Sequence, residues 1–363
     1  MNTAATRSLA SRIEIEGETH LGYNVIPIDV AFLRGLTADE LGNISLEDEP
    51  VSLGVRAIAQ AVKASGGKVV VQVRRMTQAG TIHPRMVEIP GIFVDAVVVE
   101  PLQGVSGSDL NSVLTGEIRM PCRHIARVPP GVSRIVASRA SAEVGDGETV
   151  NLGVGMPIEV PRMLNKTGTV PHATFFPEHG SVGGIPGDRA IFGTNINPDA
   201  IIDSTSVSDC FLGGGLDITF LGCGQIDTSG NVNVSKFNGI VPGCGGFIDI
   251  VSRTKRIVFC GSFTAGGLEV STGGGRLSIQ SGGRHSKFVT AVEQITFNAT
   301  RAFERGQSVH YVTERALLRL AAGGVELIEL ARGIDLERDI LRHIPFEIVV
   351  SPALRVMDAR HFN

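Results

Sequence analysis

The 363 residues include no tryptophan, two tyrosines and five cysteines. Those cysteines (Cys122, Cys210, Cys223, Cys244 and Cys260) are odd in number and contain no C-x-x-C pair, which argues against a disulfide framework or a zinc site and leaves reduced, buried thiols. Nine histidines are scattered without H-E-x-x-H or H-x-H spacing, so no metal is expected. Charged residues make up only 19 %, with a net charge of −4 and no basic blocks, so neither nucleic acid nor an anionic membrane has electrostatic support as a partner. No apolar run approaches the roughly 18 residues of a membrane span. The start, MNTAATRSLASRIEIEGETH, turns polar before a signal-peptide core could form. A soluble, cytoplasmic protein is the expectation.

What the chain has in quantity is apolar residues, 42 %, and glycine, 45 residues without collagen or low-complexity periodicity. That combination fits an ordered α/β protein with many tight turns and close backbone approaches, long enough for two domains.

An internal repeat supports two domains. DVAFLRGLTADELGNISL (29–46) aligns on DITFLGCGQIDTSGNVNV (217–234), with Asp29, Phe32, Leu33, Asp39, Gly42 and Asn43 falling on Asp217, Phe220, Leu221, Asp227, Gly230 and Asn231 at one offset of 188. The same offset carries KVVVQV (68–73) onto RIVFCG (256–261) without a gap. Beyond it, MVEIPGIFV and AVEQITFNA pair only after an insertion. Each copy reads as an apolar strand, a D-x-x-G-N turn, a short strand, a connection and a β-branched strand behind a basic residue. In the first copy the connection, VSLGVRAIAQAVKASGG, has helical spacing and ends on Gly66-Gly67. Strand–helix–strand order implies parallel strands. Pro129-Pro130 and a helix start near Ser133 set the division at 1–128 and 129–363. The second copy has 84 residues between that helix start and its repeat (133–216), the first only 28 (1–28), so the first domain is expected to be incomplete, without its N-terminal part.

Three glycine-rich stretches offer chemistry. FFPEHGSVGGIPG (175–187) sets Glu178 among small residues, either a solvated loop glutamate or a reactive carboxylate approachable by ligand and backbone donors. ETVNLGVGMP (148–157) runs a strand into G-x-G, either an anion-binding nest or a tight β–α turn, with Pro157 suited to a first helical turn. GIVPGCGGFIDI (239–250) precedes another apolar run and reads as a packing loop or as donors for an oxyanion. Cys244 lies inside it, yet nothing nearby in sequence marks a base to activate a thiol. His179 reads as an ordinary loop residue, SVSDC (206–210) as a strand edge or turn, and GIDLERDILRHI (333–344) as a surface helix capped by Asp335.

Together VNLGVGMP, PEHGSVGG, GGGLDITFLGCGQIDTSGNVNVSKF, PGCGGFIDI, FCGSFTAGGLEV, VEQITF, VTERALLRL and GIDLERDI resemble family I coenzyme A transferases of the short-chain acyl-CoA:carboxylate type, over about Gly22 to the C-terminus. The resemblance implies an α/β protein of two related, NagB/RpiA-like domains with mainly parallel sheets, and CoA transfer to a carboxylic acid of the acetate/propionate class. It implies that Glu178 forms a glutamyl-CoA thioester, that Gly153, Val154, Gly155, Met156 and Pro157 contact the bound thioester with the Val154 N–H as oxyanion donor, and that Gly243, Gly245 and Gly246 face it. Coenzyme A is then substrate and covalent intermediate, with no further cofactor. A homo-oligomer, or a chain supplying the missing N-terminal segment, is expected. Thioester hydrolysis and a non-catalytic CoA-ester-binding or structural subunit are the alternatives.

Overall fold

The computed structural model describes residues 4–104, 111–165, 173–188 and 191–363. It divides into two compact units, the first running to Gly104 apart from Pro50–Leu53, which belong with the second. This division falls ahead of the 128/129 boundary taken from the repeat: Leu114 and Ile125 are buried against Ile185 and Ile196 of the second unit.

In the first unit, strands β1 (Ala10–Ile15) and β2 (Glu18–Tyr23) form an antiparallel hairpin. The main sheet is parallel, β3 (Val30–Arg34) beside β6 (Lys68–Val73) beside β9 (Ala96–Val99). Short strands β4 (Thr37–Asp39), β5 (Ile44–Ser45), β7 (Arg75–Thr77) and β8 (Val87–Ile89) make a second sheet. Helix α1 (Val55–Ala64) is the expected crossover, stopped where Gly66 takes a φ of 79°. It buries Val55, Ala59 and Val62 against Ala31, Leu33, Val69, Val71 and Val73. Because strand residues alternate, the opposite sheet face carries Val30, Phe32 and Val98, which are 46 %, 82 % and 50 % exposed.

The second unit repeats this plan more fully. Its eight-stranded sheet runs β11 (Thr174–Phe175), β10 (Thr149–Leu152), β12 (Ile218–Gly222), β15 (Arg256–Cys260), β18 (Ser308–Val312), β19 (Ala316–Ala321), β20 (Gly324–Leu330), β21 (Val349–Val356), with the first five mutually parallel. Ile218 and Phe220, the counterparts of Val30 and Phe32, are fully buried.

The offset of 188 survives in three dimensions. Val30 pairs with Lys68 as Ile218 pairs with Arg256. Asp39 accepts the Leu41 N–H, the Asn43 N–H and the Asn43 side-chain amide, each at 2.9 Å; Asp227 accepts those of Ser229 and Asn231 at 3.0 Å. Asn43 Oδ1 then accepts the Gly91 N–H and Asn231 Oδ1 the Ala299 N–H, so each turn is tied to a distant segment of its own unit. By that point the offset has become 208, since Ile44 pairs with Ile89 and Val232 with Phe297. The hairpin of β16 (Glu269–Gly273) and β17 (Arg276–Ser281) lies within the inserted stretch.

Two sequence readings are corrected. Residues 206–210 lie inside helix α3 (Ser204–Leu212), which Asp203 caps by accepting the Thr205 N–H and which buries Val207 and Phe211. The segment 333–344 is capped by Asp335 as expected, but its helix covers only Leu336–Asp339 and Ile340 is fully buried. Among the described residues no helix is long and apolar enough to cross a membrane.

A buried charge cluster fixes helix α2 (Val132–Ser141) to the sheet. Arg139 bonds Glu143 and Glu329, each at 2.7 Å, and Glu143 lies 3.1 Å from His310 Nδ1. Burial pushes the Glu143 carboxyl up, but the hydrogen bonds and charges of His310 and Arg139 outweigh it and hold the group at about 2. Its stabilisation is therefore present in full above the ordinary value of 4.5 and is lost as pH falls from there towards about 2. Glu143→Gln is expected to lower the urea midpoint at pH 7, with the gap to wild type closing as pH falls through that window; a gap independent of pH would contradict the assignment. Asn231→Ala should cost about 2–3 kcal/mol in the same assay, because Asp227 and the Ala299 N–H lose partners in a buried setting.

Candidate active site

The carboxylate of Glu178 sits at the carboxyl end of β10, where β10 and β12 run in parallel register with Asn151 opposite Thr219. Both of those side chains are fully buried. Thr219 Oγ1 donates to Asn151 Oδ1 at 3.0 Å, which orients the amide. Asn151 Nδ2 then donates to the Phe176 carbonyl at 3.2 Å and to Glu178 Oε2 at 3.3 Å. A strand pair thus presents an aligned amide to a half-buried carboxylate.

On its other side Glu178 meets the second glycine loop. A Cβ added at Gly246 would lie 3.8 Å from Glu178 Cγ. Gly246 opens helix α4 (Phe247–Arg253), and Gly243 and Gly245 take φ of 88° and 53° with open space where a side chain would stand. The Gly153–Pro157 turn leaves the end of β10. The Gly153 N–H is bonded to the Phe220 carbonyl at 2.8 Å, Gly155 has a φ of 98° with open space around it, and Pro157 is buried in the first turn of the short 3₁₀ helix Met156–Glu159. Val154 is 65 % exposed; its carbonyl packs 3.5 Å from the position of a Cβ on Gly222. Met156 packs against the core.

The glycines that follow Glu178 serve a different purpose from these. A Cβ on Gly180 would lie 2.0 Å from the Ile202 carbonyl oxygen, one on Gly183 2.0 Å from Asp199 Oδ2, and one on Gly184 2.2 Å from the Ile196 carbonyl oxygen. Their φ values are 112°, 74° and 67°. Gly180 and Gly184 seat the glutamate's loop on the 196–202 backbone and Gly183 on the Asp199 side chain, whereas the open space belongs to Gly155, Gly243 and Gly245. His179 packs edge-on to Phe192, with ring centroids 5.5 Å apart, and its Nδ1 is buried without a hydrogen-bond partner among the described residues.

Sequence reasoning missed Asn151 and Thr219. The signal was present in TVNL and DITFL, where a polar residue interrupts an apolar strand. It also left the VTERALLRL segment without a role. Glu314 and Arg315 there are buried as an ion pair at 3.0 Å, Glu314 accepts the Phe263 N–H at 2.8 Å, and Arg315 reaches the Thr264 hydroxyl and stacks over the Phe263 ring. The pair pins the segment after β15.

Gly180→Ala and Gly184→Ala are expected to unfold the second unit or lower its melting point steeply, since backbone cannot yield 1 Å or more. Gly246→Ala, at φ −76° with no contact under 3.7 Å, should cost less than about 1 kcal/mol. Equal losses from all three would contradict this division of roles.

A family model described as coenzyme A transferase matches residues 6–100. The whole chain is 40 % identical to a protein of Escherichia coli K12 named acetate CoA-transferase YdiF, covering 68 % of that protein. It is 41 % identical to the caffeate CoA-transferase of Acetobacterium woodii, covering 71 %. The crystal structure of the E. coli O157:H7 acyl-CoA transferase YdiF, described as a thioester complex with CoA, superposes on 98 % of this chain and 67 % of its own with a TM-score of 0.91 at 39 % identity. The parallel α/β units, the carboxylate at the strand ends and these matches agree: this chain is a family I coenzyme A transferase.

Proposed function

We propose that the chain transfers coenzyme A from a short-chain acyl-CoA of the acetate/propionate class to a carboxylic acid, through a thioester on Glu178. The reading rests on one observation above all: a half-buried carboxylate held by the oriented Asn151 amide and touching the Gly246 position, where a helix begins.

A carboxylate is a weak nucleophile in water and a competent one when desolvated and aligned. Glu178 attacks the thioester carbonyl, the C–S bond breaks, and a mixed anhydride and CoA thiolate form. The thiolate attacks the glutamyl carbonyl and releases the first acid as its carboxylate, leaving glutamyl-CoA. The acceptor acid runs both steps in reverse, and no net proton changes hands. Each tetrahedral oxyanion needs donors, one of which is typically worth about 3–4 kcal/mol. The roles assigned are Asn151 as the side chain that aligns Glu178, the Val154 N–H as an oxyanion donor, and Gly153, Gly155, Met156, Pro157, Gly243, Gly245 and Gly246 as the surface along which thioester and acid approach. Coenzyme A is substrate and intermediate, with no other cofactor.

Two homologous domains, 1–128 and 129–363, are part of the same reading. The exposed face of β3, β6 and β9 is taken to be covered in the assembled enzyme, by a second copy or by a chain supplying a segment like 132–152, because its counterpart in the second unit is buried.

Incubation with acetyl-CoA should attach CoA to the peptide holding Glu178, detected by mass spectrometry, and added propionate should remove it with formation of propionyl-CoA. Glu178→Gln and Glu178→Asp should abolish the adduct without lowering the melting temperature. An adduct that decays only to free acid would support hydrolysis, and bound CoA without an adduct would overturn the proposal.

A further inference from the structure

Four of the described lysines, Lys63, Lys68, Lys236 and Lys255, each have a carboxylate within 4.0 Å; Lys287 has none among the described residues. Its position is nevertheless closely determined. The Lys287 ammonium donates to the Cys223 carbonyl at 3.0 Å. Its backbone is clamped to the short strand Gln225–Ile226, with the Ile226 N–H on the Lys287 carbonyl at 2.8 Å and the Val289 N–H on the Ile226 carbonyl at 2.9 Å.

This places the charge at the carboxyl ends of three central strands. Cys223 follows β12, and Gly261 follows β15 and donates to the Val312 carbonyl at the end of β18 at 3.1 Å. A Cβ on Gly261 would lie 2.7 Å from Cys223 Sγ and 3.0 Å from Lys287 Nζ, so the missing side chain at 261 is what admits the ammonium. The Glu314 carboxylate holds the next stretch through the Phe263 N–H.

An ammonium carries three donors, of which the Cys223 carbonyl takes one, and a half-buried cation without a counterion is costly to maintain. Open parallel sheets take their ligands at the carboxyl ends of the strands. The same rim of the same sheet carries the Asn151–Glu178 contact, on the strand pair β10–β12. CoA transfer brings two anions to such a rim, the carboxylate of the acid and the phosphates of coenzyme A. In the first half-reaction negative charge also leaves Glu178 and reappears on the released acid, which needs a cation near its path.

We propose that Lys287 is a substrate-binding residue that takes an anionic oxygen, either the carboxylate of the acid or a phosphate of coenzyme A. The proposal rests on the CoA-transfer reading above, and its test is a binding measurement, so it is decided even if no Glu178 adduct forms.

Calorimetric binding of CoA, of acetate and of uncharged pantetheine to the full chain is compared for wild type, Lys287→Gln and Lys287→Met, with melting curves alongside. Glutamine keeps a donor for the Cys223 carbonyl and removes the charge alone, so it also serves should the methionine variant fold poorly. One anionic ligand is expected to weaken by about tenfold or more, the scale of a lost charge-assisted hydrogen bond, while pantetheine and the melting point stay unchanged. Weakening of CoA alone identifies the phosphate, and weakening of acetate alone the carboxylate. Both anions within about twofold of wild type, or pantetheine weakened as much as CoA, overturns the proposal.

Discussion

The site depends on the parallel pairing of β10 with β12. That register sets Asn151 opposite Thr219 in a fully buried layer, and the threonine hydroxyl leaves the asparagine amide one useful orientation, donors towards the strand ends. Slipping one strand by one residue would turn its polar side chain to the other face and leave both residues buried without each other as partners. The alignment of Glu178 is thus a by-product of sheet register, and the glutamate needs no dedicated base or metal beside it for the chemistry proposed.

The same unit of architecture is used twice and completed once. In both units an aspartate and an asparagine four residues on close a turn and tie it to a distant segment, so the D-x-x-G-N motif is a structural brace, and only the second unit carries the glutamate and the glycine loops. Glycine is likewise divided by task. At Gly180 and Gly184 it permits backbone to pass backbone, at Gly183 it admits the Asp199 side chain, and at Gly155, Gly243 and Gly245 it leaves space.

The repeat made much of this legible in the sequence. Its single offset located both parallel strand pairs and the brace, helical spacing located helix α1, and the role of Glu178 came from the family resemblance, since its glycine-rich stretch alone leaves a solvated loop glutamate open. What stayed hidden depends on contacts far apart in the chain. Asn151 and Thr219 are 68 residues apart, and nothing local says that they face each other. Residues 206–210 read as a strand edge or turn because serine and aspartate compete with the helix backbone, yet the Asp203 cap and the four-residue spacing of Val207 and Phe211 decide for a helix over Ser204–Leu212. Ile340, read as part of a surface helix, is core together with Ile344, while Glu337, Arg338, Arg342 and His343 of the same segment stay exposed.

The central claim is that the Glu178 carboxylate exchanges an oxygen atom with the acid substrate through a mixed anhydride. Transfer run with acid labelled by oxygen-18 in its carboxylate tests this most directly, with the peptide containing Glu178 isolated after turnover. The account predicts labelled oxygen in the Glu178 side chain of that peptide. Sustained transfer with no label there would contradict it.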